Sequence, residues 1–129
     1  MNEREELYAY RREQAVTTLA EAERMLDVGF SARSVVNRAY YAMFYMVLAL
    51  FLKKDVQVTT SKHTGVMSVF DKEFVLTGKV GREHSRALHK AFDRRLEFDY
   101  KELTVPSGED ARLAVERARD FIQTLKGLC

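Results

Sequence analysis

The sequence predicts an all-α protein, an antiparallel bundle of about five helices. Three observations carry that expectation. Pro106 is the only proline and the glycines fall at candidate boundaries, so the segments between them run long and uninterrupted. Those segments are rich in Ala, Leu, Glu, Arg and Met, the strong helix formers. Their apolar residues recur at spacings of three, four and seven, the helical period, and not at two. A chain of 129 residues has the size of one domain, 1–129, able to bury a core without disulfides or metals.

Taken in order, Tyr8, Ala15, Leu19, Ala22 and Leu26 give the first helix one apolar face and a charged back, with an end near Gly29. Ser31 is placed to cap a second helix over Ala32–Lys53, in which every residue from Ala39 to Leu52 is apolar or aromatic. A helix that is greasy on every side must be covered on every side. It is therefore expected as the central rod, and because so short a chain leaves part of it uncovered, a homodimer is expected as well. The turn-like KKDVQVTTS leads to Ser61, the expected cap of a shorter helix through Leu76 that buries Val66, Val69, Phe70, Phe74 and Val75. Gly78 and Gly81 bracket a break before a fourth helix from Arg82 to Asp99. Beyond Val105 and Pro106, Ser107 with Asp110 resembles a capping box that opens a last helix, buried through Ala114, Ala118, Phe121, Ile122 and Leu125.

Composition narrows the functional classes. Cys129 is the single cysteine, so no disulfide forms within the chain and a reducing, cytoplasmic setting is expected. The apolar run from Ala39 to Leu52 is shorter than the ~20 residues of a membrane span, so no membrane association is expected. A net charge of +2 does not by itself indicate nucleic acid. The spacing of His84 and His89 is not that of a metal-binding pair, and glycine-rich phosphate loops and nucleophile elbows are absent from the sequence. No metal and no cofactor are expected.

The polar residues that break the apolar faces are the candidate site. On the fourth helix, His84, Arg95 and Asp99 fall among Ala87, Leu88, Ala91, Phe92, Leu96 and Phe98. Arg95 and Asp99 stand one turn apart, so guanidinium and carboxylate can meet, and Tyr100 follows. Two readings are open: an ion pair bracing this helix against Tyr41 or Tyr45, or a polar cleft in which Arg95 holds a phosphate and Asp99, His84 or His63 orients or activates a hydroxyl. His63 is expected in the first turn of its helix, where free backbone N–H groups favour an anion. On the other edge of the fourth helix, Arg82, Arg86, Lys90 and Arg94 recur every fourth residue beside His89. Such a stripe either follows a phosphate backbone or is a solvated face.

With these residues located, three patterns, NRAYYAMFY over 37–45, SKHTGV over 61–66 and RLEFDY over 95–100, make the chain similar to the HEPN superfamily, in a prokaryotic branch often paired with a minimal nucleotidyltransferase. The resemblance covers nearly the whole chain. It implies a helical bundle that dimerises and a toxin–antitoxin type of module, in which the HEPN member can be an RNase and the nucleotidyltransferase its antidote. The reading that joins this to the residues is a HEPN-like bundle binding nucleotide or RNA in a polar interhelical cleft lined by Asn37, Arg38, Tyr41, His63, Arg95, Asp99 and Tyr100. Catalytically active members resemble one another in an arginine followed, after four to six intervening residues, by a histidine. In this chain Asp99 follows Arg95 instead, and an aspartate is a poor proton donor near neutral pH unless burial raises its pKa. The imidazole would then have to come from His63 or His84, or from the Arg82 and His89 pair on the basic edge. The alternative in a different class is a non-catalytic interaction protein whose Arg95 and Asp99 only knit helices together.

Overall fold

The second helix is the axis on which the other elements are laid. The computed structural model describes residues 2–100 and 104–129, and it contains helices α1 (Glu3–Asp27), α2 (Ala32–Lys53), α3 (His63–Phe70), α4 (Arg82–Tyr100) and α5 (Gly108–Lys126). No strand occurs among the described residues. α2 packs against α1, α4 and α5, and its Val35, Ala39, Tyr40, Met43, Met46, Val47 and Leu50 are buried in one continuous core. By length and composition α2 matches a membrane span, with a mean hydropathy of 1.5 over eighteen residues, but 67% of that window is buried against the chain's own helices. It is a core helix.

The turns explain how the helices reverse. α1 begins at Asn2, whose side chain accepts from the Glu5 N–H at 2.8 Å, and ends where Gly29 takes φ +84°. There the Phe30 N–H reaches back to the Met25 carbonyl at 2.9 Å. α2 ends the same way, with Asp55 in the left-handed position at φ 55° and the Val56 N–H on the Phe51 carbonyl at 2.9 Å. Ser31 caps α2 by accepting from the Ser34 N–H, and Ser107 and Asp110 form the reciprocal capping box of α5.

The third helix differs from its expectation at both ends. Its N-cap is Lys62, without a side-chain bond, and not Ser61; Thr60 Oγ1 instead accepts from the Lys62 N–H at 3.1 Å. A Cβ on Gly65 would collide with the Thr60 side chain, so glycine is what lets this loop lie against α3. Beyond Phe70 the helix widens into a π-helical turn, Asp71–Val75, closed by the Leu76 N–H on the Asp71 carbonyl at 2.8 Å. Val66, Phe70 and Phe74 are buried as expected, whereas Val69 and Val75 are only partly covered.

Candidate functional site

α2 presents Tyr40, Tyr41, Phe44 and Tyr45 on adjoining faces, α3 brings His63 over them, and α4 brings Arg95. The His63 ring stacks on Phe44, with centroids 4.1 Å apart and planes at 18°, and its Nδ1 lies 2.7 Å from the Tyr40 hydroxyl. It also meets Tyr41 edge-on at 5.8 Å. The Arg95 guanidinium lies 5.6 Å from the Tyr40 ring centre and 5.2 Å from that of Tyr41. Arg38 approaches the same Tyr41 ring at 5.6 Å. One aromatic pair thus carries an imidazole and a guanidinium, and a second guanidinium joins them at Tyr41.

Electrostatics follow from that crowding. Burial, and after it the Arg95 guanidinium, holds His63 below its ordinary pKa, so the ring is neutral near pH 7. Burial pushes the Tyr40 hydroxyl above the ordinary phenolic range, further than Arg95 pulls it back. Tyr40 therefore keeps its proton.

Arg95 and Asp99 do meet, but loosely. Arg95 Nε is 3.6 Å from Asp99 Oδ2, with the two side chains 15% and 26% exposed. That separation is an ion pair and not a hydrogen bond. Among the described residues, Arg95 Nε is the one buried side-chain nitrogen or oxygen without a hydrogen-bond partner. Asp99 borders a shallow open depression with Asn37, Arg38, Arg33 and Ser34 at the junction of α1, α2 and α4. So Asn37, Arg38, Tyr41, His63, Arg95 and Asp99 form one neighbourhood, inward at Arg95 and open at Asp99. Tyr100 stands beside it, 74% exposed at the end of α4.

Two expectations of location are corrected. His84 lies apart from Arg95, about 16 Å along α4; it contacts Thr124 Oγ1 at 3.3 Å, Glu83 at 3.6 Å and the Phe121 ring edge-on. The basic stripe is also divided. Arg82, Arg86 and Lys90 are exposed, but Arg94 turns to Asp110 at 3.4 Å, and His89 is tied at 2.7 Å to Asp71 Oδ2, while the Ser85 hydroxyl donates to Asp71 Oδ1. His89 therefore anchors the π turn to α4 and is not an imidazole for Arg82. Lys90 and Arg94, with Arg117 of α5, rim a crevice of about 80 Å³. That is roughly half the ~150 Å³ cavity that accepts benzene, too little for a nucleobase. Sequence reasoning placed Tyr40 in the core but missed its hydroxyl as the partner of His63; the four-residue spacing of Tyr40 and Phe44 was the available signal.

The family model described as HEPN domain matches residues 8–128. The chain is 38% identical over 128 residues to the "UPF0332 protein" of Thermotoga maritima, an alignment covering 99% of this chain and 95% of that one. Two proteins of Methanocaldococcus jannaschii, each named "Putative toxin", are 31% and 32% identical over 88% of this chain and 76% and 85% of their own lengths.

Proposed function

The chain belongs to the HEPN domain family, and we propose that it is the toxin-type member of a toxin–antitoxin module, acting as a homodimer with a minimal nucleotidyltransferase partner. On this reading the Arg38, Tyr41, Arg95 and Asp99 neighbourhood receives a nucleotide or RNA. The relatives named "Putative toxin" support the module. One observation carries the site: Arg95 Nε is buried with no hydrogen-bond partner although a carboxylate lies 3.6 Å away. A guanidinium kept only to brace two helices gains most from a close, two-pronged grip on its carboxylate. This one is held back from Asp99 and lies over the Tyr40 and Tyr41 rings, a pose that leaves the terminal guanidinium nitrogens for a phosphate.

In that pose Arg38 and Arg95 neutralise phosphate charge, Asn37 and Tyr41 supply hydrogen bonds and a stacking face, and Tyr100 lies within reach of the same ligand. The exposed Arg82, Arg86 and Lys90 extend the positive surface along α4. RNA cleavage is the narrower reading, because Arg95 is followed by Asp99 and Tyr100 and by no histidine at the spacing that active members carry.

The brace remains the rival, favoured by the burial of Arg95. Incubating the purified chain with mixed RNA beside an Arg95→Ala variant separates the two, with retention on a native gel and loss of full-length RNA as readouts. The site reading expects retention by the wild type and its loss in the variant; equal behaviour of both removes it. Co-purification with the nucleotidyltransferase encoded beside it, where there is one, tests the module.

A further inference from the structure

His63 sits at the proposed site as an imidazole, and an imidazole beside an arginine invites the role of general base. Its geometry assigns a different one. Tyr40 is fully buried, and among the described residues His63 Nδ1, at 2.7 Å, is the one hydrogen-bond partner of its hydroxyl. If Nδ1 carried a proton and donated it, the hydroxyl hydrogen of Tyr40 would be left buried without an acceptor, which is unfavourable. The bond is satisfied only with the tyrosine donating and Nδ1 accepting. A neutral imidazole accepting at Nδ1 carries its proton on Nε2.

Nε2 is not sealed. Arg95 Nε is the sole buried side-chain polar atom without a partner among the described residues, and His63 itself is only half-buried. Because Nδ1 points at a fully buried residue, the edge carrying Nε2 faces the other way. His63 and Arg95 flank the same two rings, Tyr40 and Tyr41, at 5.2 to 5.8 Å. The neutrality of His63 that burial and Arg95 enforce is consistent with this arrangement.

We propose that the Tyr40 hydroxyl fixes His63 as the Nε2–H tautomer, so that His63 gives the Arg95 site a neutral hydrogen-bond donor for a phosphate oxygen and not a proton acceptor. Tyr40 is then a positioning residue, acting through His63. Among the described residues Asp99 is the only carboxylate bordering the open depression, and a proton taken from a ribose hydroxyl there goes to it. The tautomer stands on the geometry alone; the phosphate as its ligand rests on the functional reading above.

Long-range proton–nitrogen correlation spectra of the full chain, labelled with nitrogen-15, report the tautomer directly. At pH 7.5 the His63 signals are expected to be those of a ring protonated at Nε2 only, and in Tyr40→Phe they should shift toward a tautomeric mixture. A wild-type ring protonated at Nδ1, or at both nitrogens, overturns the proposal. The donor role is read with a fluorescently labelled single-stranded RNA. His63→Gln, whose amide can still donate, should bind within about threefold of wild type. His63→Leu should bind about tenfold more weakly, the size of one hydrogen bond to a charged group. If Arg95→Ala loses the RNA while His63→Leu keeps full affinity, the donor role falls and the functional reading survives. RNA left unbound by the wild-type chain removes the functional reading and with it the phosphate, whereas the spectrum still decides the tautomer.

Discussion

The two halves of α2 are built to different ends. From Met46 to Phe51 nearly every side chain is enclosed, with Met46, Val47, Ala49 and Leu50 at 0% exposure in one apolar core. From Asn37 to Phe44 the same helix carries the Arg38 guanidinium and meets that of Arg95, a carboxylate and an imidazole. The first half is explained by packing alone. The second holds Arg95 Nε buried without a hydrogen bond, which packing does not explain and stability does not reward. Energy spent against stability in one confined place is how a binding site differs from a core.

The contrast can be broken most forcefully in the apolar half. Leu50→Ala should lower the unfolding free energy by about 3 kcal/mol, through lost transfer energy and an unfilled cavity, as read from urea midpoints. RNA retention per folded molecule should not change. A loss of retention at equal folded fraction would mean that the two halves are not separable.

Arg95→Met sharpens the contrast from the other side. Methionine keeps the aliphatic contact with Tyr40 and Tyr41 and removes the charge, while Asp99, with its side chain 26% exposed, keeps access to water. The expected change in stability is under about 1 kcal/mol, with RNA retention abolished. A brace predicts the reverse pattern, a loss of stability above about 1 kcal/mol with the behaviour toward RNA unchanged.

A smaller effect comes from pH. The unfolded chain protonates His63 near the ordinary value of about 6.5, but the folded chain does so only at lower pH because burial and Arg95 oppose the charge. Unfolding therefore takes up a proton in that window. His63 contributes its full share of stability above about pH 6.5, and the share is lost as pH falls from there through the folded value. Urea midpoints from pH 8 to pH 5 should fall more steeply in wild type than in His63→Gln. A wild-type midpoint that rises on acidification relative to the variant would mean that His63 gains a counter-ion the structure does not contain.

Much of the bundle was legible in the chain because helix ends are local. Ser31, Gly29 and the Ser107–Asp110 box each act within a few residues of themselves, and each lies where the pattern placed it. What could not be read depends on contacts between distant residues. The π turn is anchored by Asp71 to Ser85 and His89, fourteen and eighteen residues on, and the Tyr40–His63 bond spans twenty-three. The evenly spaced basic stripe is divided for the same reason, since Arg94 turns toward Asp110 on α5 while Arg82, Arg86 and Lys90 stay exposed. The candidate site lies between these cases. Its residue types stood out as polar interruptions of apolar faces, but their meeting, and the looseness of the Arg95–Asp99 pair, exist only once α2, α3 and α4 are packed.

The smallest expected effect bears directly on that looseness. Arg112, on the outer face of α5, is the opposite of Arg95: its Nε donates to Glu109 at 3.0 Å, and its Nη1 donates to Glu116 at 2.6 Å. By count of bonds it is the better-held arginine. Yet it is 48% exposed, so water replaces each of those bonds when they break, and salt screens the charges. Arg112→Ala is therefore expected to leave the urea midpoint within error of wild type at both low and high salt, and to leave RNA retention unchanged. If Arg112→Ala instead destabilised the chain as severely as Leu50→Ala, the number of hydrogen bonds and not burial would rank these arginines. The missing bonds of Arg95 would then mark a weak residue and not a reserved one. A silent Arg112→Ala beside an RNA-deficient Arg95→Met would show that, on these two neighbouring helices, the arginine with fewer bonds is the one the fold keeps for a ligand.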